Sequence, residues 1–360
     1  MKKIVLLLSM ALTIGALTAC GNTNENAENM NATNNMEETT DETTEVTMEE
    51  GAAKTGLAVI STIDSSTSAT AEEDGLAQVN SFVVGVLVDE NGTIIDCEID
   101  MAQTKINFSN EGMLTTDLTS EIKSKQQLGD DYGMKGVSSI SKEWYEQADA
   151  FAAYVIGKTV EEVAGIAVDD AGLAADADLI ASVTVHVGDF IEGVEKAVAN
   201  AQVLGAASTD MLGLAISTEI SGSNDATAEE AGLAMAYSTY AVVTVDADGM
   251  VTSSYVDMSQ GKVNFDVTGT ITTDLTVGPL TKQELGDDYG MKVASGIEKE
   301  WFEQSDAFSA YVIGKTADEV AGIAIDEEGH AADADLVSSV TVHVSPFVTI
   351  VSAAIANAME

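Results

Sequence analysis

Residues 56–201 of this chain align without a gap on residues 213–358 at a constant offset of 157, and no other feature of the sequence restricts the possible folds as much. The stretch "DADLIASVTVHV" (Asp176 to Val187) returns as "DADLVSSVTVHV" (Asp333 to Val344), and across the second half of the repeat roughly two-thirds of positions are identical. Each copy is long enough to be a domain with its own core. The expected organisation is a first domain over 55–202, a joint over 203–212 within "QVLGAASTDML", and a second domain over 213–360.

The pattern within each copy changes midway. "SFVVGVLVDENGTIIDCEID" is two β-branched runs around Asn91-Gly92, and "AVVTVDADGMVTSSYVD" repeats the plan around Asp248-Gly249, so each reads as a hairpin. "TKINF" and "MLTTDL", with "KVNFDV" and "TITTDL" in the second copy, suggest a further strand pair. After "LGDDYGMK" the period becomes helical: Ile140, Trp144, Ala148, Phe151 and Val155 share one face of a helix expected over 140–156, with Gly157 placed to end it. That face marks Trp144 and its counterpart Trp301 as core. "TVEEVAGIA" predicts a short helix and "FIEGVEKAVANA" a closing one. Strands followed by helices give an α+β class, with each copy an antiparallel sheet packed with helices.

The N-terminus carries an address. Lys2 and Lys3 precede an apolar run from Ile4 to Leu17, and "LTAC" places Cys20 after small residues, the layout of a signal peptide over 1–19. "LTAC" resembles the bacterial lipobox, which implies that Cys20 is lipidated and that the mature chain is anchored on the outer face of the cytoplasmic membrane. Residues 20–54 contain no aromatic side chain and no helical or strand periodicity, so they read as a disordered tether with a root-mean-square reach of roughly 30–35 Å. Apart from Cys20 the only cysteine is Cys97, whose counterpart is Ser254, so a disulfide framework is not expected.

Sixty acidic residues stand against fifteen basic ones, all lysine, for a formal net charge of −45. That balance argues against nucleic acid as a partner, and its simplest reading is extracellular solubility. Gly-x-Ser-x-Gly is absent, and neither copy sets His, Cys, Asp and Glu at metal-ligand spacing. "DENGT" and "DADGM" lack the later glutamate of a calcium loop and read as turns. No catalytic or metal-ligating residue is nominated.

The repeated "SVTVHV" segment, rich in β-branched residues, is expected as a loop or short extended piece before the closing helix. Read as bare composition, its threonine is a good strand former. Yet both copies place an aspartate six residues before that threonine, Asp178 before Thr184 and Asp335 before Thr341. Here each copy resembles the bacterial FMN-binding domain, in which Asp-x-x-[Ser/Thr]-Gly-Ala-[Ser/Thr] precedes a helix and its last residue receives FMN through a phosphoester. Ser338 keeps the family's hydroxyl residue where Ala181 does not. Ser182 and Ser339 stand at the glycine position, and Val183 and Val340 at the alanine position.

The resemblance implies two covalent FMN groups, on Thr184 and Thr341, in a lipoprotein of Gram-positive extracellular electron transfer. Such a chain is an electron carrier rather than a substrate-specific enzyme. Its implied partners are a flavin transferase, a membrane quinone or dehydrogenase system as donor, and external acceptors such as ferric iron or soluble flavins. Asp178 and Asp335 take the motif's aspartate position, and Ser182 and Ser339, which replace its glycine, are counted with them as flavin-binding candidates. Five lysine pairs recur, among them Lys135 and Lys292, as an anionic ligand would require. Tyr132 and Tyr289, in a loop without core periodicity, are candidates to stack on the flavin ring. His186 and His343, two residues after each threonine, fall on its side of an extended segment and so within reach of flavin or phosphate. The alternative is a non-catalytic lipoprotein module that binds an anionic small ligand or a partner protein, its threonines being ordinary sheet residues.

Overall fold

The computed structural model describes residues 51–360. The signal peptide, Cys20 and nearly all of the expected tether lie outside the described residues. In the first copy the order is β1 (Lys54–Thr62), β2 (Gly75–Val88), β3 (Ile94–Phe108), α1 (Lys125–Leu128), α2 (Trp144–Val155), α3 (Val160–Ala164), α4 (Ala177–Ile180) and α5 (Gly188–Ala199). The second repeats it as β4 (Met211–Glu219), β5 (Gly232–Val245), β6 (Val251–Phe265), α6 (Lys282–Leu285), α7 (Trp301–Val312), α8 (Ala317–Ala321), α9 (Ala334–Val337) and α10 (Ser345–Ala358). Each copy thus forms a three-stranded antiparallel sheet with its helices, an α+β plan.

The hairpins form where their turn residues dictate. Gly92 and Gly249 take positive φ, and the Asp89 and Asp246 carboxylates each accept two backbone N–H groups from the turn. The expected second strand pair is instead one long strand. β3 and β6 run on through "TKINF" and "KVNF", and the "MLTTDL" and "TITTDL" segments add only a single bridge each, at Leu114 and Ile271. A first strand, β1 or β4, flanks each hairpin on its other side.

Strand alternation explains how the layers assemble. On β2, Phe82, Val84, Val86 and Val88 face α2 and α5, whereas Val83 and Leu87 face the other sheet together with Leu214, Tyr240 and Val242. The two sheets therefore meet face to face, and each copy's helices cover the outer side of its own sheet. The contact is reciprocal in the way a two-fold interface is. Phe108 stacks on its own counterpart Phe265 at 4.1 Å, and Ala69 N–H bonds the Gly269 carbonyl while its counterpart Ala226 N–H bonds that of Gly112. Tyr240 donates to Ser81 across the interior at 2.9 Å. Residues 51–360 belong to one compact unit.

Close approach of the closing helix accounts for one glycine per copy. A Cβ at Gly56 would strike the Ala197 carbonyl of α5, and one at Gly213 the Ala354 carbonyl of α10. The closing helix can sit this near β1 and β4 only because the strands carry no side chain there. No helix among the described residues is long and apolar enough to cross a membrane.

Candidate functional site

The start of α2 organises the site. Trp144, Gln147, Ala148 and Phe151 lie on its buried face, and Trp144 meets Phe190 of α5 edge-on at 5.9 Å. Glu143, just before the helix, is almost wholly buried, and its carboxylate accepts Met134 N–H at 2.7 Å and Lys135 N–H at 2.9 Å. Charge-assisted bonds of this kind pin the loop over residues 133–142 to the helix start. Ser141 in that loop takes φ of 54°, as does its counterpart Glu298, a conformation that costs roughly 1–3 kcal/mol and is kept in both copies.

Gln147 ties this frame to the repeated threonine. The carboxamide is fully buried. Its oxygen accepts Thr184 N–H at 2.8 Å and the Thr184 hydroxyl at 3.1 Å, while its nitrogen donates to the Lys142 carbonyl at 3.2 Å. In the second copy Gln304 holds Thr341 at 2.8 and 3.2 Å and the Lys299 carbonyl at 3.1 Å. The threonine backbone is thereby fixed, and each half-buried hydroxyl has its hydrogen committed but its oxygen lone pairs free of any donor among the described residues.

Thr184 stands on the rim of an open cleft of about 540 Å³. Met134, Val137, Leu173, Ile180 and Val183 give it apolar walls, with Ser138, Ser139 and Asp169 as polar groups. Val137 is 86% exposed and Ile180 48%. Apolar side chains left so open at one cleft mark a surface suited to a flat apolar ligand.

The other candidates are dispersed around this rim. Asp178 and Asp335 are exposed at the second position of α4 and α9, where their N–H groups bond Asp176 and Asp333, the actual N-caps. Ser182 and Ser339 donate to the Leu179 and Leu336 carbonyls, closing the short helices. The threonine segment bends at Val185 and Val342 instead of running extended. His186 is exposed and bridges the Leu173 backbone; His343 is exposed and stacks on His330. Lys135 and Lys292 point their backbone, not a paired side chain, into the frame, bonding Glu143 and Glu300.

Tyr132 and Tyr289 have a different neighbour from the one expected. The nearly buried Lys125 ammonium lies 4.8 Å from the centroids of both Tyr132 and Trp144, and Lys282 lies 4.9 Å from Tyr237, Tyr289 and Trp301. Burial, offset in part by Asp100 or Asp257, pushes both lysines down to about 8. Burial also pushes the Tyr132 hydroxyl up. These rings serve a cation–π cage, and no member of it lines the cleft beside Thr184. Lys158 and Lys315 cap Tyr154 and Tyr311 elsewhere, at 4.3 Å, so the repeated lysines are spread over several places.

The residues that build this frame, Gln147 and Gln304 on the threonines and Glu143 and Glu300 on the preceding loops, were not among those nominated from sequence. Their signal was present: "KEWYEQ" and "KEWFEQ" retain both polar residues through the duplication, and Gln147 sits on an otherwise apolar helical face. No group of three or more His, Cys, Asp or Glu side chains among the described residues is placed to hold a metal ion. Searched against known proteins, the chain matches no family model, no curated protein and no solved structure.

Proposed function

We propose that the chain is an extracellular, lipid-anchored electron carrier with one FMN esterified to Thr184 and one to Thr341. The observation that carries this reading is the same in both copies: a threonine held by a buried glutamine, its hydroxyl oxygen free of any donor among the described residues. In the first copy the apolar-walled cleft beside Thr184 is of a kind that takes a flat ring. The residues fit the group in outline. Thr184 Oγ1 would carry the phosphate, Met134, Val137, Ile180 and Leu173 would bear on the ring, and Ser138 and Ser139 would offer hydroxyls to its polar edge. FMN, once bound, supplies the redox chemistry; the protein orients it and sets its electrostatics.

What the chain's own residues do is limited and definite. Gln147 fixes Thr184 but, as a neutral amide, takes no proton from its hydroxyl, so the attachment chemistry falls to the transferase. The strongly acidic surface disfavours extra negative charge on a bound ring. On this reading a membrane quinone or dehydrogenase system supplies electrons and ferric iron or a soluble flavin accepts them.

The test is co-expression with a flavin transferase followed by intact mass. Two added FMN masses are expected, with one lost in Thr184→Ala, one in Thr341→Ala and both in the double variant. A colourless, unmodified chain under those conditions would leave the module that binds an anionic ligand or partner as the better reading.

A further inference from the structure

Laying the cleft beside Thr184 on the second copy by the 157-residue offset puts Asp326 at the position of Asp169 and His330 at that of Leu173. Both first-copy residues line the cleft beside Thr184. Where the cleft beside Thr184 has a leucine side chain, the matching position in the second copy has an imidazole. His330 is not isolated. Its backbone bridges that of His343, and the two rings stack with centroids 4.4 Å apart and planes 21° from parallel. His330 Nδ1 lies 3.7 Å from Asp326 and 3.9 Å from Glu328, and Asp326 also accepts the His330 N–H at 2.8 Å. Those two carboxylates and His343 are the titratable groups shown against it among the described residues. The first copy has only His186, whose bridge partner is Leu173.

We propose that His330 and His343 form a proton-holding pair beside Thr341, so that negative charge arriving there is matched by a proton, whereas the cleft beside Thr184 lacks the partner imidazole. Two stacked imidazoles do not readily hold two protons, because like charges at that separation repel, while one imidazolium over a neutral ring is favourable. The Asp326 and Glu328 carboxylates stand against the His330 ring of the pair. Thr341 and His343 are two residues apart, no more than about 7 Å between Cα atoms, so a charge on the threonine side chain acts on the pair directly. The nature of the arriving charge, an electron taken up by the ring, rests on the flavin reading. When an external reductant delivers that electron, one proton from solvent goes to the pair and the net charge beside Thr341 is unchanged.

The pair is tested without any flavin. In the full chain made without transferase, the imidazole C–H signals of the three histidines are followed by NMR from pH 5 to 8.5. Thr341→Glu, compared with Thr341→Gln, should raise the titration midpoint of the pair by about half a unit or more and leave His186 in place. His330→Leu should shift the midpoint of His343 and not that of His186. If His330 and His343 titrate alike in all of these chains, the proposal is overturned whatever becomes of the flavin reading, which intact mass judges separately. In chains that do carry FMN, Thr184→Ala, with flavin only on Thr341, should show a midpoint potential falling more steeply with pH than Thr341→Ala does. His330→Leu should remove the excess; equal slopes would overturn the redox part.

Discussion

The two copies hang their threonines from equivalent glutamines, with bonds that agree to within 0.1 Å, yet the charges they carry elsewhere differ. His330 replaces Leu173, Tyr237 replaces Asn80 and gives Lys282 a hydroxyl acceptor at 2.8 Å, and Ser253 and Tyr255 stand where the first copy has Asp96 and Glu98. Duplication started both copies with one frame. What has stayed equal is the geometry that fixes a hydroxyl; what has drifted is the charge carried at other positions of the two copies.

The largest expected effect tests the shared part. Gln147→Leu keeps most of the side-chain volume but strips partners from the Thr184 N–H, the Thr184 hydroxyl and the Lys142 carbonyl. A buried network broken on one side should cost about 3 kcal/mol in denaturant unfolding, and Gln304→Leu should match it. A loss below about 1 kcal/mol in one copy and not in the other would show that the two anchors are not equivalent.

How much of this was legible in the sequence follows from which signals are local. The duplication, the Asn91-Gly92 and Asp248-Gly249 hairpins and the α2 face through Trp144, Ala148 and Phe151 depend on spacing within a short window, and all appear in the structure. β1 was not legible, because its inward Leu57 and Val59 have meaning only against a second sheet. Nor was the face-to-face pairing of the copies, since an apolar strand face does not say what covers it. At the site, Thr184 and Thr341 were found through the spacing to an aspartate. That aspartate is exposed and does not touch them, while Gln147, 37 residues away, does. Lys125 was seen as a repeated charge, but its place over Tyr132 and Trp144 is a tertiary fact.

A smaller effect sharpens the electrostatic half of the comparison. Burial, with the Asp96, Asp149 and Asp100 carboxylates beside it, pushes Glu98 up to about 7, and its counterpart Tyr255 bears no such charge. With the folded value above the ordinary one of about 4.3, the folded state holds a proton that the unfolded chain has released. The resulting stability is fully present below that ordinary value, is lost as pH rises toward about 7 and is flat beyond. Glu98→Gln should therefore stabilise the chain by about 2 kcal/mol at pH 8 and by much less at pH 5, read as denaturant midpoints at the two pH values. An equal gain at both would place the effect in packing rather than in charge.

The smallest effect returns the second copy to the first at one atom. Ser309 occupies in α7 the position that Ala152 occupies in α2, and its buried hydroxyl has no hydrogen-bond partner among the described residues. Removing a buried group that has lost water and gained nothing in exchange should stabilise the fold, so Ser309→Ala is expected to add about 1 kcal/mol, and Ala152→Ser to subtract a similar amount. Both are within reach of paired denaturant curves, provided m stays constant. Opposite signs of similar size would mean that the two helices still sit in equivalent cores, and that the serine is a tolerated defect of the second copy. A destabilised Ser309→Ala would mean instead that the hydroxyl is used in the second copy alone, and the divergence of the two copies would then extend from the cleft walls into the core beneath them.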